Sequence, residues 1–457
     1  MPEDTDHLPS TRAPRRPSDV RDPHIDGGGL LQVHKGASAV VLASVWHDDN
    51  KGDSAIAEAV LMLLLDVRPG ADVTLAAMLD TEHPGYATAF RHLLHAHTEA
   101  TVIPSPLPKI ERSRALGDTV GAMVRTVTRL MALALPGRAP LAEAIRRSTL
   151  VVANGGHTLY AQRGPGAWFR LLRILYPYWL ARRLGRPYAL FGQSLGPFDG
   201  RLGRAWVGGV LRGAERVLVR EELSRDVALE LGVPPERVAV VPDPAFALTP
   251  SVTDRVRAVQ SRVGLEPGHY WVVTVRQAYS ASGRAEATAR FIDEMARFVA
   301  LALQRRLVPR IVIVAHTLGP VASEDDRLPA RALHARVRAS GAVLVEDDLS
   351  PRELAALYGD AAWVVGTRFH SVILALVGGT PTLAVSYFGP KTHGIMQMLD
   401  LDDLCLDLAT FDAERAIERI EAADPRAIAM HTRSTIEAFR VRLRDAAADV
   451  WNGVDRS

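Results

Sequence analysis

The chain reads as an α/β protein made of two doubly wound, Rossmann-like domains that face a cleft. Short apolar runs bounded by Gly and Pro alternate with helical stretches, and that alternation occurs twice. At 457 residues the sequence is too long for one ordinary core, and with 47% hydrophobic residues it has enough apolar material for two. Runs of four to six apolar residues without polar alternation mark parallel strands covered on both faces.

The expected domains are 37–248 and 249–457, the second ending in closing helices. Residues 1–36 are rich in Pro, Asp, Arg and Gly, lack an apolar run, and read as a disordered tail. Arg15-Arg16 is not followed by the hydrophobic stretch an export signal needs. A net charge of +2 argues against a dedicated nucleic-acid binder. The lone cysteine, Cys405, excludes an intrachain disulfide and a Cys-based metal cluster, and it suits a reducing cytoplasm. No metal-ligand constellation is visible, and no apolar stretch is long enough to cross a bilayer.

In order, Ser38 to Val45 reads as the first strand, and a helix is expected from about Ala55 to Leu65. Between them lies a polar loop in which Asn50, Gly52 and Asp53 serve equally as helix cap or ligand contact. No G-x-G-x-x-G occurs there, so a dinucleotide is not indicated. Asp72 to Leu79 is the next strand, with helices from about Tyr86 to Arg147. His95 and His97 in that region read as ordinary surface histidines. Thr149 to Ala153 is a strand ending in Asn154-Gly155-Gly156, where the glycines permit close backbone approach. The stretch Trp168 to Leu184 admits a basic aromatic face resting on a membrane, but a core helix kinked at Pro177 is preferred.

Pro187 to Phe191 feeds the loop Gly192-Gln193-Ser194-Leu195-Gly196-Pro197, whose amide and hydroxyl suit a sugar or phosphate oxygen. A strand over Val217 to Val219 brings Arg220 to the same rim. In the second half, Trp271 to Val275 ends at Arg276, and Ile311 to Ala315 ends at His316. The acidic Glu324-Asp325-Asp326 reads as a solvated turn, and Ser350-Pro-Arg-Glu353 as a capping-box helix start. Ala362 to Val365 is a buried strand followed by a helix that opens at Arg368. Thr382 to Tyr387 then runs into a loop carrying Lys391. Arg368 and His370 thus occupy a helix's first turn, where free N–H groups and the helix dipole favour an anion. If the two strands are neighbours, Lys391 joins them at one crevice. Asp412 to about Trp451 is charged and amphipathic, giving one or two closing helices that pack back across the first domain.

Several blocks, in order, carry a family resemblance. They are Asn50-Lys-Gly-Asp-Ser-Ala-Ile, Asn154-Gly-Gly, Gly192-Gln-Ser-Leu-Gly-Pro, Arg220-Glu-Glu-Leu-Ser, Pro242-Asp-Pro-Ala-Phe, and Gly366-Thr-Arg-Phe-His-Ser followed by Gly379-Thr-Pro, Tyr387 and Lys391. Together they resemble the polysaccharide pyruvyl transferase family over most of the chain. The resemblance implies a GT-B-like architecture and transfer of pyruvate from phosphoenolpyruvate to two hydroxyls of one sugar, forming a cyclic ketal for cell-surface or exopolysaccharide biosynthesis. On that reading His370 and Arg368 are catalytic. Arg220, Arg276 and Lys391 hold the donor's anionic groups, and Asn50, Asp53, Gly155, Gly156, Gln193, Ser194 and Tyr387 contact substrate. No metal or other cofactor is called for beyond phosphoenolpyruvate as donor substrate. The acceptor is a free or lipid-linked saccharide, with the protein in the cytoplasm or at the inner membrane face. Three alternatives stay open: a glycosyltransferase using a nucleotide sugar, with Glu346 or Asp347 as ribose ligand; a non-catalytic assembly partner; and a related enzyme acting on a free or tailored sugar.

Overall fold

Each of two parallel sheets reverses its winding at one seam, and those seams position the site. The structure is a computed structural model that describes residues 38–107, 139–161, 165–278, 284–387 and 391–456. The expected tail, 1–36, lies outside the described residues. The first sheet contains β1 (Ala39–Val45), β2 (Asp72–Ala77), β3 (Thr101–Ile103), β4 (Leu150–Ala153), β5 (Gly156–Ala161), β6 (Tyr188–Phe198), β7 (Arg216–Val219) and β8 (Val238–Val240). Its order is β3-β2-β1-β4-β6-β7-β8, with β5 paired to β6 off that path. The second sheet contains β9 (Tyr270–Thr274), β10 (Arg310–Val314), β11 (Val343–Val345), β12 (Trp363–Gly366), β13 (Thr382–Ser386) and β14 (Cys405–Asp407). They run β11-β10-β9-β12-β13-β14. Every pairing is parallel.

The helices of the first lobe are α1 (Lys51–Val67), α2 (Arg91–Ala96), α3 (Pro140–Arg147), α4 (Pro165–Arg183), α5 (Arg201–Leu211) and α6 (Glu222–Glu230). Those that follow are α7 (Asp254–Val263), α8 (Arg284–Gln304), α9 (Arg327–Val337), α10 (Pro351–Gly359), α11 (Phe369–Val377), α12 (Lys391–Met398), α13 (Ala413–Ala422) and α14 (Pro425–Arg456). They cover both sheet faces, which is why strands such as β4 and β9 are buried along their whole length. The winding reverses between β1 and β4 in one sheet and between β9 and β12 in the other. At such a seam the loops diverge and leave a crevice beyond the strands' carboxyl ends.

Some local expectations need correction. Helix α1 starts at Lys51 rather than Ala55, because Asn50 is its N-cap and accepts from the Asp53 N–H at 3.4 Å. Asp53 therefore lies inside the first turn, not at the cap. Residues 192–197, read as a loop, continue β6 as far as Phe198 because β5 supplies a second pairing partner. Gly192 makes the bend at φ +71°, and a Cβ there would lie 2.5 Å from Pro244 Cγ. The three-residue β3 falls in a stretch read as helical and is too short to show a period; residues 108–138 of that stretch lie outside the described residues.

Other segments follow their local chemistry. Ser350 and Glu353 form a reciprocal capping box at the start of α10. Helix α4 carries Pro177 and buries Leu171, Ile174, Leu175, Tyr178 and Leu180 in the core, while Arg183 lies over the exposed ring of Trp179. The long α14 returns to the first lobe, where the Trp451 indole donates to Leu64 O at 3.2 Å and Arg216 pairs with Asp449. Among the described residues no helix is long and apolar enough to cross a membrane.

Candidate active site

The ends of β9 and β12 are laced together by threonine. Thr367 N–H donates to Thr274 Oγ1 at 3.0 Å and its hydroxyl donates to Thr274 O at 2.8 Å. Thr274 Oγ1 also lies 3.0 Å from Ser371 Oγ, inside α11. This fixes Arg276 and Arg368 side by side at the second seam. Arg368 is the N-cap residue of α11, with extended backbone. Its Nε and Nη2 donate to Asp326 at 2.7–3.1 Å and Nη2 also to Glu324 O. Burial disfavours the Arg368 charge, but the Asp326 carboxylate more than offsets it and holds the guanidinium ionised. Asp326 was expected in a solvated acidic turn. Instead it is 1% exposed, because it also accepts from Thr317 N–H at 3.0 Å and faces Arg368.

Arg276 differs from its neighbour. Its guanidinium lies 3.6 Å over the Tyr387 ring and its Nε donates to Gln277 O. Among the described residues no carboxylate lies within ion-pair distance of it. Burial, then the nearby Arg368 charge, push its pKa down to about 10. It is still a cation at neutral pH, held in a partly dry wall, and such a group gains most from a bidentate anion.

His370 sits one residue inside α11 and reaches across to the first lobe. Its ring packs against Gly52, where any Cβ would fall 2.3 Å from His370 Nδ1. The His370 Nε2 is buried without a hydrogen-bond partner and lies 3.7 Å from Asp243 Oδ2, a charge contact rather than a hydrogen bond. Asp243 in turn accepts from Arg220 Nη1 at 2.5 Å, while Arg220 Nε and Nη2 donate to Ser194 Oγ. Burial would raise the Asp243 carboxyl, but the Arg220 charge and the nearby imidazole hold it well below the usual carboxylate range. Arg220 also stacks over Phe369 at 5.3 Å.

Arg220, Arg276, Arg368 and His370 line a chamber of about 590 Å³ between the lobes. Asn50, Asp53 and Gly156 reach it from the first seam; Arg276, Arg368, His370 and Tyr387 reach it from the second. His316 and His157 line it too, so three imidazoles stand on its described walls. An adjoining chamber of about 1230 Å³ shares Arg220 and Phe369 as a wall and is lined by Leu195, Phe198, Val227, Ile395 and Phe439. Ser194 faces that second space. Gln193 and Gly155 face neither: Gln193 Nε2 donates to Asn154 O at 2.5 Å, and a Cβ on Gly155 would lie 2.6 Å from Phe191 O. Both shape the rim from behind. Lys391 opens α12, and its side chain lies outside the described residues.

Sequence reading missed Asp243, Asp326 and His316. Asp243 lies in the Pro242-Asp-Pro-Ala-Phe block and was legible as a block but not as an ion pair, since Arg220 is 23 residues away. Asp326 was hidden in a run of acids, and His316 was visible only as a strand-end residue. Glu346 and Asp347, weighed as ribose ligands, are engaged instead with Arg331 and Arg262. Among the described residues no three His, Cys, Asp or Glu side chains are grouped to hold a metal ion.

A family model for polysaccharide pyruvyl transferase matches residues 50–389. The chain belongs to that family. The matched segment begins at the cap of α1, just past β1, and carries the β4 side of the first seam and all of the second; every described group lining the smaller chamber but Thr392 falls within it. Amylovoran biosynthesis protein AmsJ of Erwinia amylovora is 22% identical over 429 residues, covering 89% of this chain and 97% of that one. Among solved structures, the Anabaena protein Alr3699/HepE in complex with UDP-glucose aligns with a TM-score of 0.52 at 13% identity, over 91% of this chain and 99% of that one. A putative UDP-N-acetylglucosamine 2-epimerase from Listeria monocytogenes gives 0.54 at 12% identity, over 87% and 91%. At such identities the likeness is one of fold, the GT-B arrangement of two parallel-sheet domains. This member of the pyruvyl transferase family therefore carries its cations and imidazoles on a scaffold also used for nucleotide sugars.

Proposed function

We propose that this protein transfers pyruvate from phosphoenolpyruvate to two hydroxyls of one sugar, forming a cyclic ketal and releasing phosphate. The observation that carries the reading is Arg276, a buried cation with no carboxylate partner among the described residues, beside Arg368 and His370 on one chamber wall. Phosphoenolpyruvate carries its carboxylate and its phosphate on the same carbon, C2, and two neighbouring guanidinium forks match that charge pattern. Arg368 keeps Nη1 clear of Asp326 for this contact.

The reaction divides into two additions at C2 of the donor. The first sugar hydroxyl adds to C2 and loses its proton to a base, while the methylene carbon gains a proton and becomes methyl. The C2–O bond to phosphorus then breaks, its electron pair leaving with phosphate. The second hydroxyl attacks the resulting oxocarbenium carbon and its proton leaves with the phosphate. His370 is the proposed acid–base group for the first addition. Asp243 places a carboxylate oxygen 3.7 Å from His370 Nε2, on the side where that proton would be held. Arg276 and Arg368 stabilise charge on the departing phosphate. The acceptor is a free or lipid-linked saccharide of cell-surface or exopolysaccharide biosynthesis, met in the cytoplasm or at the inner membrane face.

The test is incubation with phosphoenolpyruvate and a panel of free and lipid-linked saccharides, following phosphate release and acceptor mass. The expected result is stoichiometric phosphate and pyruvylated acceptor. Turnover with a nucleotide sugar, and none with phosphoenolpyruvate, would assign the chain to glycosyl transfer.

A further inference from the structure

His316, at the carboxyl end of β10, has one ring nitrogen engaged and one open. Its Nδ1 lies 3.0 Å from the Tyr358 hydroxyl, and the two rings stack with centroids 6.1 Å apart. Its Nε2 is buried and has no hydrogen-bond partner, although the residue lines the 590 Å³ chamber. The Tyr358 hydroxyl is itself buried and has no other partner among the described residues. A buried hydroxyl proton needs an acceptor, and among the described residues the only one in reach is Nδ1. Tyr358 therefore donates, which leaves the imidazole proton on Nε2.

We infer that His316 is an anion-binding residue, whose neutral Nε2–H, set by Tyr358, donates to an oxyanion of the substrate. This rests on reading the chamber as an anion site. The ring cannot act there as an imidazolium: burial, and then the charges of Arg368, His370 and Lys51, keep it neutral. A buried donor without an acceptor destabilises a fold, and such a group persists where a ligand supplies the acceptor. Its position is tied to the cations, because the next residue, Thr317, bonds through its N–H to Asp326, the carboxylate that holds Arg368. A neutral donor among cations adds a hydrogen bond to the anion without adding repulsion to an already positive wall.

Nitrogen-15 histidine NMR on the full chain tests this, with the His316 signals assigned by their loss in His316→Gln. The free protein is expected to show the neutral Nε2–H tautomer. Adding phosphoenolpyruvate should shift that proton downfield; inorganic phosphate alone or pyruvate alone tells which oxyanion is met. Tyr358→Phe should release the tautomer preference, and His316→Phe should weaken binding of the effective anion about ten-fold or more. An Nδ1–H tautomer in the free protein, or a proton indifferent to all three anions, would overturn the inference. A response to inorganic phosphate without one to phosphoenolpyruvate would uphold it while removing the proposed donor. Once assigned, the tautomer is read on the unaltered chain, so the test survives poor folding of Tyr358→Phe or His316→Phe.

Discussion

An alanine at position 52 would place its Cβ 2.3 Å from His370 Nδ1, closer than any relaxed contact. Gly52 lies in the first turn of α1, where alanine is otherwise the better helix former by about 1 kcal/mol. The two effects act on different observables. Gly52→Ala is expected to leave the melting temperature nearly unchanged and to lower kcat at least ten-fold, since the ring must leave its site. A variant with wild-type turnover would show that the ring's position does not matter. The backbone reason for this glycine lies in the opposite lobe, so nothing local to Asn50-Lys-Gly-Asp announced it. Arg368 and His370, by contrast, were legible together because helix periodicity and the preceding apolar strand fixed their place at a strand end.

Helix α1 is the element on which the two lobes meet. It packs against α10, α11 and α14 as well as its own sheet. Its Glu58 is 5% exposed, with Arg352 of α10 at 3.8 Å as an incomplete partner. Burial, only partly opposed by Arg352, raises the Glu58 carboxyl from 4.5 to about 7. A pKa raised in the folded state gives stability that is complete below 4.5 and is lost as pH rises through about 7. Glu58→Gln should remove that dependence and be more stable than wild type at pH 8, by on the order of 3 kcal/mol at most. Denaturant unfolding at pH 4.5 and 8 checks both the sign and the size. The strands of both sheets were readable as apolar runs, whereas the continuation of β6 was not. Its pairing with β5 is a tertiary event, and the Gly-rich sequence 192–197 carries turn chemistry that the sheet overrides.

The lobes are bridged by a partly buried charge cluster that no sequence pattern revealed. Lys51 is 1% exposed and donates to Asp348 at 2.5 Å, and His92 and Arg91 reach the same carboxylate at 2.9 and 2.5 Å. Arg91 also bonds Asp49, whose backbone oxygen accepts from Leu318 N–H of the other lobe. Burial lowers the Lys51 pKa against the pull of Asp348. Asp348→Ala leaves that ammonium buried without its carboxylate and should cost about 3–5 kcal/mol, whereas the double change Lys51→Met, Asp348→Leu should recover most of it. Urea unfolding of both variants tests this; equal losses would mean that the cluster's packing matters more than its charge. These residues lie far apart in sequence, so only the folded chain brings them together.

Titration of wild type, Arg276→Ala and His370→Ala with phosphoenolpyruvate by calorimetry, alongside turnover with a competent acceptor, tests the central claim most directly. Wild type should bind, Arg276→Ala should lose affinity ten-fold or more, and His370→Ala should bind near-normally with turnover reduced at least a hundred-fold. Absence of binding by wild type, or an Arg276→Ala variant that binds as wild type does, would contradict it.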